Sequence, residues 1–96
     1  MTRPPSHIAN MRVLLFTPID WRHRATGQTT HIVGGLPFEH PAGLALCQDP
    51  TSDAVYLFYC NEEWEAVTDT WHESIDDAKA QASFEFSGTD DSWESP

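Results

Sequence analysis

Residues 54–88, AVYLFYCNEEWEAVTDTWHESIDDAKAQASFEFSG, decide the fold. The first seven are apolar or aromatic throughout, a run of strand length and strand composition. Tyr56 and Phe58 point one way, while Val55, Leu57 and Tyr59 point the other. Both faces therefore need cover, which places this strand inside a sheet rather than at its rim. Asn61-Glu62-Glu63 reads as a hairpin turn, and residues 64–71 as the returning strand. There Trp64, Ala66, Thr68 and Thr70 share one face, and Glu65, Val67, Asp69 and Trp71 the other. Acids among apolar residues mark a strand near an edge.

A helix follows, expected over about 75–87. Ser74 is a good N-cap, and Asp77 three residues on stands in for the usual Glu of a capping box. Glu73, Asp76 and Asp77 sit at the positive end of the helix dipole. Gly88 suits the position just past the helix. Ile75, Ala78, Ala82 and Phe86 form one narrow apolar stripe, and its two alanines allow close approach to a sheet. Phe84 lies opposite that stripe and needs separate cover.

Towards the N-terminus, residues 43–48 (GLALCQ) make a short strand, joined to the central one by the turn Asp49-Pro50-Thr51-Ser52-Asp53. These three strands form an antiparallel meander. Residues 11–17 (MRVLLFT) are a further strand, stopped by Pro18. Residues 18–28 are an irregular connection. Residues 29–33 read as a strand that Gly34-Gly35 ends or bulges, and 36–41 as a loop with two Pro. Residues 1–9 and 89–96 are polar and read as flexible tails. Strands followed by one helix indicate an α+β fold, not alternating α/β. The expectation is one domain, 1–96, with an antiparallel sheet of four to five strands and a single C-terminal helix packed on it. One helix covers only one face of the central strand. The other face awaits the 18–41 segment, a second copy of the chain, or another protein.

The net charge is −10, unevenly spread. Residues 1–38 carry four Arg against Asp20, whereas residues 39–96 carry fourteen acids against Lys79. An acidic body argues against nucleic acid or an anionic membrane as partner, because phosphate contacts need cations. It favours a basic protein, towards which it would steer. No run approaches the roughly 18 apolar residues of a membrane span, and the N-terminus lacks the apolar segment of a signal peptide. A cytoplasmic protein with free Cys47 and Cys60 is expected.

Catalytic patterns are missing. The five histidines, His7, His23, His31, His40 and His72, have no ligand-like spacing, so neither a metal nor another cofactor is expected. Cys60 ends an apolar strand and precedes acids, which disfavours a thiolate. Ser74 is explained by capping, and no G-x-S-x-G is present. The acid pairs Glu62/Glu63, Asp76/Asp77 and Asp90/Asp91 fall in a turn, a helix start and a tail, where solvated charge is normal. The oddest stretch is Trp21-Arg22-His23-Arg24. The reading preferred on sequence packs Trp21 under the sheet and pairs the arginines with the acidic body; the other makes it a recognition loop.

Residues 56–88 resemble the C-terminal half of small stand-alone bacterial proteins of uncharacterised role. The likeness rests on Cys60-Asn61-Glu62-Glu63-Trp64, Asp69-Thr70-Trp71-His72 and Ala78-Lys79-Ala80-Gln81-Ala82. It carries no catalytic residues with it. In general style, such small acidic α+β proteins are similar to immunity proteins that neutralise bacterial toxins.

The leading expectation is thus a small acidic, non-enzymatic protein-binding module, immunity-like, directed at a basic partner. Its candidate contacts are Trp21, Arg22, Arg24, Glu62, Glu63, Glu65, Trp71, His72 and Phe84. The alternative is a ligand-binding domain or enzyme that uses the loop from Trp21 to Arg24 with His72 as proton carrier. A homodimer is the third.

Overall fold

The computed structural model describes residues 2–96. In chain order its elements are β1 (His7–Ile8), β2 (Met11–Pro18), β3 (Arg24–Ala25), β4 (Ile32–Val33), β5 (Leu36–Pro37), β6 (Gly43–Gln48), β7 (Val55–Cys60), β8 (Ala66–His72), α1 (Ile75–Glu85) and β9 (Phe86–Ser87). A short 3₁₀ turn, Thr89–Asp91, follows. The architecture is α+β. Five strands form one antiparallel sheet in the order β1-β2-β6-β7-β8, and α1 is the single α-helix among the described residues. Two small ribbons, β3 with β9 and β4 with β5, stand outside it.

Strand β7 is buried on both faces, as its composition demanded. Val55, Leu57 and Tyr59 join Leu44, Leu46, Ala78, Ala82 and Phe86 on the helix side. Phe58 and Cys60 join Val13, Phe16, Ala45, Cys47, Ile8 and Trp64 on the other. The 18–41 segment takes no part in covering this second face. The chain's own N-terminal segment and Trp64 close it. The Trp64 indole N–H donates to the Thr2 carbonyl at 2.8 Å, and its ring meets Phe16 edge-on at 5.7 Å.

The stretches read as tails are hydrogen-bonded to the sheet. β1 pairs with the start of β2 through the two-residue turn Ala9-Asn10, and both turn residues have positive φ. Arg3 lies 5.1 Å over the Phe16 ring and donates to the Ser95 carbonyl. Glu94 exchanges backbone hydrogen bonds with Phe16.

Three local readings are corrected. Only Ile32–Val33 of the 29–33 segment is strand, and it pairs with β5 rather than with the sheet. Gly34-Gly35 is the hairpin turn between them, with φ of 58° and 80°. Strand β8 begins at Ala66, because Trp64 adopts φ 60° inside the turn, and a bulge at Tyr59/Cys60 shifts the register. Helix α1 starts where expected, with the Ser74 hydroxyl accepting from the Asp77 N–H. It ends at Glu85, since Phe86 turns extended to pair with Ala25. Ala78 and Ala82 are buried as expected. Ile75 is exposed, and the third buried position of the helix is Glu85.

Cys47 and Cys60 are free and buried. Cys47 lies opposite Tyr56 and Cys60 opposite Gly43, four positions apart along the β6–β7 ladder. That is roughly 13 Å, beyond disulfide reach. Burial pushes both thiols up to about 12, so neither is a ready nucleophile.

Candidate functional site

Topology gathers the long connections at one end of the sheet. Pro18, Gly43, Cys60 and Ala66 all lie there, so the β2–β6 connection (19–42) and the β7–β8 turn (61–65) share that end. Helix α1 runs back towards it, because Glu85 reaches Tyr59 while Ser74 follows the far end of β8. Of the nine candidate contacts, Trp21, Arg22, Arg24, Glu62, Glu63, Glu65 and Phe84 therefore lie at this end. Trp71 and His72 sit at the other, opposite Tyr56 and Val55. About six residues of strand, roughly 20 Å, separate the two groups. The arrangement of Trp21, Arg22 and Arg24 around His72 is not assembled.

The loop carrying Trp21 is held firmly. Asp20 receives the Arg22 guanidinium through two bonds, at 3.0 and 2.9 Å, plus the Arg22 backbone N–H. This pairing holds the Asp20 carboxyl down at about 2. Arg24 and Ala25 form a ladder with Ser87 and Phe86. Gly88 has φ 88°, and a Cβ there would collide with the Arg22 carbonyl oxygen, so loop and chain cross in close contact. Trp21, by contrast, is 90% exposed. The preferred sequence reading is overturned on both counts. Trp21 does not pack under the sheet, and Arg22 pairs with its own neighbour instead of the acidic body. Arg24 makes no ion pair among the described residues.

His23 anchors this loop from below. The Asp20 backbone N–H donates to its Nδ1 at 3.1 Å, which assigns the ring proton to Nε2. Nε2 then donates to the Ser92 hydroxyl at 2.8 Å, Ser92 donates to the Thr17 hydroxyl at 2.7 Å, and Thr17 donates to the Pro18 carbonyl. Ser92, His23 and Asp20 look like a nucleophile, base and orienting acid, with His23 Nδ1 3.5 Å from Asp20 Oδ1. The proton direction is the reverse of what such chemistry needs, because the nitrogen facing the serine is already protonated. The cluster is a latch between loop and C-terminal segment.

Burial pushes His23 below its ordinary 6.5, against the opposing pull of Asp20; burial also lowers His72. Each therefore takes up a proton less readily in the folded state than in the unfolded chain. Their contribution to stability is complete above pH 6.5 and is lost as pH falls through the lowered values. The urea midpoint should therefore drop between pH 7 and pH 5, and His23→Gln should flatten that slope. An unchanged slope in the variant would contradict the latch. The Asp20 contribution is lost in a separate window, between 3.8 and about 2.

A second polar cluster lies beneath α1, and the sequence reading missed most of it. Glu85 accepts from the Tyr59 hydroxyl and from Gln81 Nε2 at 3.1 Å, and its other oxygen meets His31 Nε2 at 2.7 Å. The His31 ring lies 4.1 Å from that of Tyr59 and reaches Thr68. Thr70 links Tyr59 to His72 Nε2 at 2.7 Å. Burial, reinforced by the Glu85 carboxylate, pushes the Tyr59 phenol well above its usual range. A cleft of about 150 Å³ opens over His31 and Glu85, with Thr29, Thr30, Phe38 and His40 among its walls. Both of the floor's imidazole nitrogens and both carboxylate oxygens are already bonded within the protein, so the cluster fastens the 29–31 segment and helix to the sheet.

The β7–β8 turn is internally hydrogen-bonded as well. The Asn61 side chain accepts from the N–H groups of Glu63 and Glu65, and buried Trp64 pins the turn inward. Glu62 and Glu63 project beside Phe38, His40 and Ala42, enclosing a shallow groove of about 300 Å³. A neighbouring hollow of about 460 Å³ shares Ala42 and Glu62 and adds Thr2 and Ile19. Neither Trp21 nor His72 lines these hollows or the cleft. Among the described residues, the one ion pair to an Arg or Lys is Arg22–Asp20. The acids of residues 39–96 thus carry charge that no internal Arg or Lys neutralises.

Among the described residues, no three His, Cys, Asp or Glu side chains are grouped to hold a metal ion. No helix there is long and apolar enough to cross a membrane. No protein-family model, curated protein or solved structure matches the chain.

Proposed function

We propose that the chain is a non-enzymatic, acidic protein-binding module whose partner is a basic protein. Trp21 carries this reading. It is 90% exposed at the tip of a loop that Asp20, Arg22, His23 and Ser92 lock in place. An indole left in water on a rigid support is a ready anchor, since burial in a partner gains its full apolar area at little entropic cost. Phe84, 51% exposed, is tied to the same loop through Thr26, whose hydroxyl donates to the Phe84 carbonyl.

The partner's sign follows from the excess of fourteen acids over one Lys in residues 39–96, with Glu62, Glu63 and Glu65 at the same end as Trp21. An immunity-like role, masking a basic toxin, and a cytoplasmic setting belong to the same proposal. Two free, buried thiols fit a reducing compartment.

Capture from a host lysate at low salt should yield a basic protein on the native chain. The Trp21→Ala chain should retain at least about 10-fold less, with its urea midpoint unchanged, because an exposed side chain contributes little to folding. Equal capture by both chains would sink the assignment of Trp21 as anchor.

A further inference from the structure

The two edges of the main sheet are treated differently. The β2 edge is closed along its length: β1 pairs with Met11 and Arg12, the Ser6 carbonyl accepts from Val13 N–H at 2.9 Å, and Glu94 exchanges two bonds with Phe16. Residues 6–8 and Glu94 both pair with that edge. The β8 edge, seven residues from Ala66 to His72, is bare. Among the described residues, no backbone group outside β7 bonds to it. Every second N–H and C=O of an edge strand points away from its neighbour, offering a template for one more strand.

We propose that β8 is a docking edge for an extended, cationic segment of a partner protein, which adds as a sixth strand. The inference uses the basic-partner reading only for the sign of the charge. Residues 61–77 hold seven acids, Glu62, Glu63, Glu65, Asp69, Glu73, Asp76 and Asp77, with no Lys or Arg. A second copy of the chain is disfavoured at this edge. Pairing β8 with its own image sets that acidic stretch against an identical one, and like charges on facing strands repel.

A cationic strand meets the opposite situation. Asp69 and Trp71 lie on one face, level with Phe58 and Tyr56. Trp71 is 52% exposed. Alternate side chains of an incoming strand fall beside these two, so Lys or Arg at every second position meets a carboxylate and an indole face. Backbone pairing supplies affinity and the alternating charge supplies selection.

The test uses an eight-residue peptide of alternating lysine and valine, with the native chain at low salt. A second peptide of the same sequence carries a methyl on every backbone nitrogen, which keeps the charge and removes strand pairing. The first peptide should bind, and it should slow amide exchange across residues 66–72 by about 10-fold or more. The methylated peptide should bind at least about 10-fold more weakly. Equal binding of the two peptides overturns the docking edge while leaving the basic-partner reading intact. So does protection confined to the Trp21 loop. Failure of the unmethylated peptide to bind also overturns it. Self-association with exchange in 66–72 slowing as protein concentration rises identifies a second copy as the occupant instead. Capture with Trp21→Ala, which reads the other end of the sheet, fails or succeeds independently.

Discussion

Trp64→Ala should lose about 3–5 kcal/mol of folding stability, the cost of deleting a large aromatic from a packed core. Trp64 is buried at 3% exposure against Phe16, and its N–H holds the Thr2 carbonyl. Removing it uncovers the face of β7 that α1 does not reach. A domain of this size has a total stability of about 5–15 kcal/mol, so the variant should be marginal at 37 °C. The loss should also spread to the N-terminal segment, with residues 2–8 becoming sensitive to protease. Urea denaturation measures the first effect and limited proteolysis the second. A loss under about 1 kcal/mol, with an unchanged digest, would show that something else covers the face.

Glu85→Ala should come next in size, at about 2–4 kcal/mol, since three polar groups under the helix lose their acceptor together. The Tyr59 hydroxyl, Gln81 amide and His31 Nε2 all converge on that carboxylate. Glu85→Gln keeps one acceptor oxygen and the shape, and should cost less than half as much. Because His31 ties the 29–31 segment to the helix, both variants should loosen the β4–β5 hairpin, which amide exchange would register. If Glu85→Ala and Glu85→Gln are equally stable, the cluster is not a fastening.

The sheet strands and helix were legible because local signals agreed. Residues 54–60 could hardly be anything but an interior strand, and Ser74 marked the helix start. What stayed hidden depended on conformations that side-chain type does not announce. Ala9 is a poor sign of a turn, yet it takes φ 50° beside Asn10 and folds the N-terminus back as β1. Trp64 at φ 60° turns a residue counted with the strand into a plug for the core. Glu85 was visible in principle. It follows Ala78 and Ala82 at i+7 and i+3, on the buried stripe, but counting only apolar residues passes over a buried acid. His31, isolated between Thr30 and Ile32, gave no signal; its partners come from the helix and two strands.

The candidate site divided similarly. Seven of its nine residues lie towards one end of the sheet, since the hairpin turn, the long connection and the end of the helix carrying Phe84 all come there. Trp71 and His72 belong to the other end. Trp71 belongs to the edge proposed for docking, and His72 closes a half-buried polar chain through Thr70. The misreading of Trp21 has a simple physical source. Burial is the usual fate of an indole, and sequence carries no sign that Asp20 would claim Arg22 and His23 would turn inward, leaving Trp21 outside.

The most direct measurement is the association rate with the captured basic protein at two salt concentrations. For the native chain, the rate should fall by about 10-fold or more between low salt and 0.2 M, and a chain with Glu62, Glu63 and Glu65 changed to Lys should start slower and vary less. A native rate that ignores salt, or one that the charge reversal leaves untouched, would contradict recognition by the acidic surface.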